Sequence, residues 1–159
     1  MNKRDMLTNQ GKEQTLWRIL ASFDDLRFAV LATSGKGKPY ASLIAFTFTP
    51  DRQTVIFATP KATRKYTNIK EQPSVSILVD NRSQTPEDLS RAEAVTLTGT
   101  ARPVRGGARR KEYSRIFTAK HPQLVDFINE SDTAIIEMVI EEAVHVTRFQ
   151  HVSTWSKGT

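Results

Sequence analysis

The chain has no cysteine among its 159 residues. That removes disulfides, thiolate metal sites and cysteine nucleophiles, and makes a reducing compartment, the cytoplasm, the natural expectation. Long apolar runs are also missing. The longest, residues 28–32, is far too short to span a bilayer, and residues 1–14 lack the apolar segment of a secretory signal, so no membrane partner is expected. Only three histidines occur, His121, His145 and His151, and their scatter shows no metal-ligand spacing. No Ser-His-Asp spacing, Walker glycine loop or pair of catalytic carboxylates stands out, which argues against hydrolase chemistry.

What is present is a moderately apolar, basic chain. Hydrophobic residues make up 38%, enough to bury one core but too short a chain for two full-sized domains. Lys and Arg (23) exceed Asp and Glu (17), giving a net charge of +6. Part of the excess falls on Arg102, Arg105, Arg109, Arg110, Lys111, Arg115 and Lys120. Such a cluster can attract nucleic acid, an anionic lipid surface or a phosphorylated small molecule, and it equally describes a solvated helix face. Charge alone does not choose a partner.

The periodicity divides the chain into short strands with helices between them. Residues 11–23 place Leu16, Ile19 and Leu20 at helical spacing, so residues 1–25 are read as an N-terminal helical segment. Residues 27–33, 40–49 and 54–58 read as three strands, joined first through Ser34-Gly35-Lys36-Gly37 and then through Pro50-Asp51-Arg52. Residues 61–71 change to a helical period that Pro73 ends. Residues 74–80 form a fourth strand and residues 81–90 a polar loop. Residues 94–104 form a fifth strand, in which Gly99 marks a bulge or a close backbone approach. A basic helix to Lys120, a short helix over residues 122–129 and one long bent strand or hairpin over residues 133–149 complete the chain. Glu137, Glu141 and Glu142 are read as the solvent face of that last strand, and residues 151–159 as a tail in which Trp155 anchors the terminus. The whole predicts one mainly β domain with peripheral helices, an antiparallel barrel over residues 26–150.

The most informative stretch is residues 55–79, VIFATPKATRKYTNIKEQPSVSILV. A strand ends in Thr59, and a turn delivers Thr63, Arg64 and Lys65 to the start of a helix. Unpaired amides and the positive end of the helix dipole then meet two cations and a hydroxyl, a set suited to a phosphate. An Arg-Lys pair at a helix start is also commonly just solvated.

This arrangement of strand, Thr, turn, Thr-Arg-Lys, helix, Gln-Pro and a Val-Ser-Ile-Leu strand resembles the phosphate-binding segment of the pyridoxamine 5′-phosphate oxidase-like family. The resemblance implies an FMN-binding antiparallel split β-barrel, with Arg64 and Lys65 on the flavin phosphate and Thr63 and Thr59 as hydrogen-bonding partners. The strand at residues 39–47 is similar to the family strand that runs along the flavin ring, which implies ring contacts from the backbone of Ser42, Leu43, Ile44 and Ala45. It further implies a homodimer with cofactor at the subunit interface, an unidentified small-molecule substrate and no nucleic acid. Relatives on this fold use a deazaflavin coenzyme or haem, so both stand as alternatives to FMN, as does a non-catalytic binding or sensor role beside a flavin-dependent oxidoreductase. Several positions depart from the vitamin B6 biosynthetic oxidases. Ser42 and Thr47 stand where those enzymes carry Arg and a substrate-binding Lys, Ala94 where they carry a flavin-contacting Gln, and residues 148–151 do not reproduce their Arg-x-His-x-Arg segment. The chain therefore resembles a divergent member and not the biosynthetic enzyme.

Overall fold

The computed structural model describes residues 3–82, 90–148 and 151–158. Helix α1 (Lys3–Ala21) leads into a meander of β1 (Phe28–Gly35), β2 (Lys38–Phe48) and β3 (Thr54–Pro60). The short helix α2 (Arg64–Glu71) follows, then β4 (Ser74–Asp80) and β5 (Glu93–Pro103). Helix α3 (Gly107–Lys120), a 3-10 turn and α4 (Val125–Asn129) precede the long β6 (Thr133–Thr147) and β7 (His151–Ser156). Among the described residues, no helix is long and apolar enough to cross a membrane.

The sheet order is β3-β2-β1-β4-β5-β6-β7, every pairing is antiparallel, and a further β3–β6 pairing closes the first six strands into a barrel. Local chemistry accounts for the turns. Lys36 and Gly37 both have positive φ, 52° and 72°, the two-residue connection whose twist matches a hairpin. In the next turn the Thr49 hydroxyl donates to Asp51 Oδ1 at 2.6 Å, and Arg52 pairs with Asp24.

β6 holds the barrel together by changing partners. One edge pairs with β3 through its first half and with β7 from Glu142 to Thr147, while β5 lines the other edge. The change coincides with a register shift at Thr98/Gly99, where Glu141 is the extra residue on β6. A Cβ on Gly99 would lie 2.0 Å from the Val139 carbonyl oxygen, so the bulge requires glycine, as its place inside a strand suggested. The bend expected near Glu141 and Glu142 is this bulge. Residues 151–159, read from sequence as a tail, instead contribute β7, because Arg148 (φ 50°) turns the chain back and residues 151–156 pair with β6. Trp155 on β7 is buried among the residues of the main core, as expected of an anchor.

Two apolar layers form. The barrel interior is filled by side chains including Leu31, Phe46, Phe57, Ile77, Leu97 and Met138, and Leu16, Leu20 and Phe23 join them from the N-terminal segment. A second cluster of Ile56, Val104, Phe117, Ile128 and Ile135 lies outside the barrel under α3 and α4. The first half of β6 is thus covered on both faces. This corrects the reading of Glu137 as a solvent-facing residue: its carboxylate is buried and accepts from Arg102 Nε at 2.7 Å and Arg109 Nη1 at 3.3 Å. Strand alternation assigns a residue to the face away from the interior, but it cannot tell whether a second layer covers that face.

Candidate functional site

The barrel is split between β2 and β3. β3 pairs with β6 along its whole length but meets β2 only at Phe46, Thr47 and Phe48. Among the described residues, 38–44 of β2 therefore have β1 on one edge and no strand on the other. The Phe46 amide donates to the Arg27 carbonyl at 3.3 Å, which sets the alternation of the ladder. Ile44 and Ser42 direct their backbone groups to β1, and Ala45 and Leu43 direct theirs to the other edge. Of the four backbone positions implicated from sequence, Leu43 has both groups on the open edge and Ala45 its amide, the Ala45 carbonyl being engaged by β3 in the Phe46–Phe57 bridge. Ser42 and Ile44 have inward-facing side chains, and the Ser42 hydroxyl is buried without a partner. A buried hydroxyl left unpaired is costly, so one beside an open edge suits a ligand group.

Helix α2 stands at this opening. Thr63 is its N-cap, with the hydroxyl accepting from the Tyr66 amide at 3.4 Å and donating to the Pro60 carbonyl at 2.8 Å. Thr59, buried at the end of β3, shares a 2.9 Å hydrogen bond with that hydroxyl. The two threonines are thus brought together, and they build the turn that presents Arg64 and Lys65. Arg64 is exposed and its guanidinium lies 4.7 Å from the centre of the Tyr40 ring on β2, joining the helix start to the split strand. Lys65 is half-buried one residue further along. A cleft of about 470 Å³ adjoins, lined by Thr63, Arg64, Lys36 and Lys38 among others, with Glu71 the single carboxylate.

The placement of α2 depends on a contact that sequence reasoning did not find. Asn68 is buried and donates through Nδ2 to the Thr33 hydroxyl on β1 at 3.0 Å. Its Oδ1 occupies the place a side chain would take on Gly35, 2.1 Å from an ideal Cβ there. In the sequence Gly35 reads only as a turn residue, and the pairing of a strand-end glycine with a mid-helix asparagine has no sequence signal.

Two of the histidines, His121 and His145, have partners within the fold, and His151 is exposed at the start of β7. His121 is buried, and because the Phe46 carbonyl can only accept, its Nε2 at 2.8 Å carries the proton. Burial lowers its pKa below the ordinary histidine value, and nearby Lys120 and Arg27 lower it further, against the raising effect of that hydrogen bond. His145 approaches Glu93 at 3.4 Å and meets the edge of Phe23. Lys120 has its pKa lowered to about 8, chiefly by burial and opposed by Asp24 and Asp25. No cluster of three metal-ligating side chains occurs among the described residues.

Comparison with known proteins agrees with this architecture. Residues 18–150 match the family model described as pyridoxamine 5′-phosphate oxidase. The chain belongs to that family. A pyridoxamine 5′-phosphate oxidase homologue from Schizosaccharomyces pombe is 26% identical over 82% of this chain and 84% of its own. Among solved structures, a haem-binding protein of Mycobacterium smegmatis superposes with a TM-score of 0.76 at 18% identity, over 89% of this chain and 56% of that one. An FAD-binding protein of Mesorhizobium loti superposes with a TM-score of 0.67 at 16% identity, over 81% and 90%. The present chain spans little more than half the length of the mycobacterial protein. At these identities the superpositions speak for the shared split-barrel fold.

Proposed function

We propose that this family member is an FMN-binding flavoprotein, working as a cytoplasmic homodimer, and a flavin-dependent oxidoreductase acting on a small molecule. The observation that carries the reading is the unpaired edge of β2 beside the cationic start of α2. FMN has two recognition elements, a ring with a polar edge and a phosphate, and the split presents a counterpart to each. Arg64 and Lys65, with the first-turn amides of α2, suit the phosphate. Thr63 and Thr59 position them, their hydroxyls being engaged in the cap. The backbone groups of Leu43 and the amide of Ala45 suit the ring edge, with the unpaired Ser42 hydroxyl close by on the same strand. The flavin supplies hydride chemistry when bound, and the protein's part is to hold and orient it.

The dimer is supported by the bare outer face of β1 and β2. Phe28 and Leu43 are 60% and 65% exposed there. Cross-strand pairing places Phe28 opposite Ala45 and Val30 opposite Leu43, and Val30 is also paired with Leu78 of β4, so the patch is free of charge. A second copy presenting the same self-complementary patch would cover it and close the split.

A second reading is a non-catalytic holder of FMN, a deazaflavin coenzyme or haem, supported by a superposed relative being a haem-binding protein. Absorbance after gel filtration separates FMN from the deazaflavin and haem alternatives, and reduction and reoxidation of the bound flavin in turnover separate an oxidoreductase from a holder. With FMN added and the excess removed, a two-band flavin spectrum eluting at dimer size is expected. R64E/K65E is expected to elute without flavin while keeping its circular dichroism. Retention by that double variant, or a haem Soret band in place of flavin, would overturn the FMN assignment.

A further inference from the structure

A second and larger cleft lies on the opposite flank of α2. It has a volume of about 800 Å³, within the range of small-molecule sites, and shares no lining residue with the cleft at Thr63 and Arg64. Lys70 from α2, Arg102 from the end of β5, Arg105 from the connection after it and Arg109 from α3 line it, opposed by Glu137 alone. We propose that this cleft binds a phosphorylated small molecule of about mononucleotide size.

The buried carboxylate distinguishes the cleft from a solvated basic surface. Glu137 accepts Arg102 Nε and Arg109 Nη1 on the same oxygen, Oε1, which fixes two guanidinium groups from different elements. The Arg102 and Arg109 side chains nevertheless remain 62% and 58% exposed. Arg102 commits only its Nε to Glu137, so both of its terminal nitrogens stay available, a pre-ordered fork of the kind that grips phosphate in bidentate fashion. Arg105 has no acidic partner among the described residues, and the lining charges sum to +3, enough for a dianion. The lining also includes Tyr66, Ile69, Pro73 and Pro103, apolar surface suited to the body of a heterocycle. A nucleic acid is disfavoured because the arginines are held by a carboxylate at the floor of a concavity instead of along an open stripe. The proposal does not depend on the flavin reading.

The test is calorimetric titration of the purified protein with AMP and with pyrophosphate, carried out without added FMN and again with FMN in excess. Saturable binding of one AMP per chain is expected under both conditions. K70E/R105E changes two exposed side chains outside the other cleft and is expected to lose roughly tenfold or more in AMP affinity. K70R/R105K, which keeps both charges, is expected to bind AMP, and flavin retention is expected to be unchanged in both variants. Four outcomes would overturn the proposal: no AMP binding, competition by FMN, unchanged affinity in K70E/R105E, or preference for a single-stranded oligonucleotide with a steep salt dependence.

Discussion

The two sides of the barrel are finished in different ways. On the β5–β6 side, the first half of β6 is paired on both edges and, under α3 and α4, covered on both faces; even the buried Glu137 is answered by two arginines. On the β2–β1 side, a strand edge is unpaired among the described residues from 38 to 44, the outer face at Phe28 and Leu43 is apolar and bare, and the Ser42 hydroxyl has no partner. The first side leaves Thr133 Oγ1 and Trp155 Nε1 unpaired at its margins, whereas the second brings an open strand edge, bare apolar area and an unpaired buried hydroxyl together in one place. A protein that folds on its closed side is free to leave its open side to a cofactor and a second copy. Changes in the packed β5–β6 ladder should therefore cost stability, and changes on the open side should cost flavin binding or self-association.

The largest effect is expected at Gly99. Alanine there would press its Cβ into the Val139 backbone, which cannot move without opening the β5–β6 ladder, so Gly99→Ala is expected to destabilise by about 3 kcal/mol, read from urea unfolding. On the open side, Leu43→Glu places a charge in the bare patch and leaves every strand pairing intact. It is expected to leave monomer stability within about 0.5 kcal/mol of the parent, as exposed substitutions do. Gel filtration should then show the monomer alone. A dimer that survived Leu43→Glu would mean that the patch is not the contact, and the distinction between the sides would lose half its support.

Gly35→Ala links the two sides. Its Cβ would displace Asn68 from the hydrogen bond with Thr33, leaving a buried amide unsatisfied at a cost of about 1–2 kcal/mol. Because that contact seats α2, flavin affinity should fall with it, although neither residue is assigned to the flavin. Equilibrium dialysis on the folded variant checks this, and unchanged affinity would show that α2 is placed by other contacts.

Much of the architecture was legible because it is written in local chemistry. Lys36-Gly37 reads as a hairpin turn, Pro73 ends α2, and Thr63-Arg64-Lys65 reads as a capped, cationic helix start, all from neighbours in sequence. What escaped depends on contacts between distant residues. Glu137 alternates correctly for an outward-facing residue, and only the α3–α4 layer makes outward mean buried. β7 is short, and its place is set by the half of β6 that β3 leaves free. The split itself is a divergence between β2 and β3 that no residue in either strand announces, and without it the backbones of Leu43 and Ala45 are indistinguishable from those of Ser42 and Ile44.

The smallest expected effect concerns Lys120, where α3 reaches the closed end of β2. Its ammonium sits 4.4 Å from the centre of the Phe46 ring, partly buried, with its pKa lowered to about 8. The folded value lies below that of the unfolded chain, so between about 8 and the ordinary lysine value the unfolded state binds more protons, and stability rises with pH there. Below about 8 the ammonium is charged in both states and the desolvation cost is fully present. Lys120→Met removes the charge and keeps the stem, and is expected to raise stability at pH 7 by about 1 kcal/mol, allowing for the solvent that reaches the exposed part of the side chain. The gain should shrink as the pH is raised from 8 to 10. His121 provides the opposite check at acid pH. Its lowered pKa means that stability falls as pH drops below the unfolded histidine value, and His121→Gln should flatten that acid limb while leaving the alkaline one intact. Thermal unfolding scans of the two variants across pH 5 to 10 separate the groups. If Lys120→Met instead lowered stability at pH 7, the attraction of Asp24 and Asp25 would outweigh burial, and this corner between α3 and β2 would be held together by charge and not merely tolerate it.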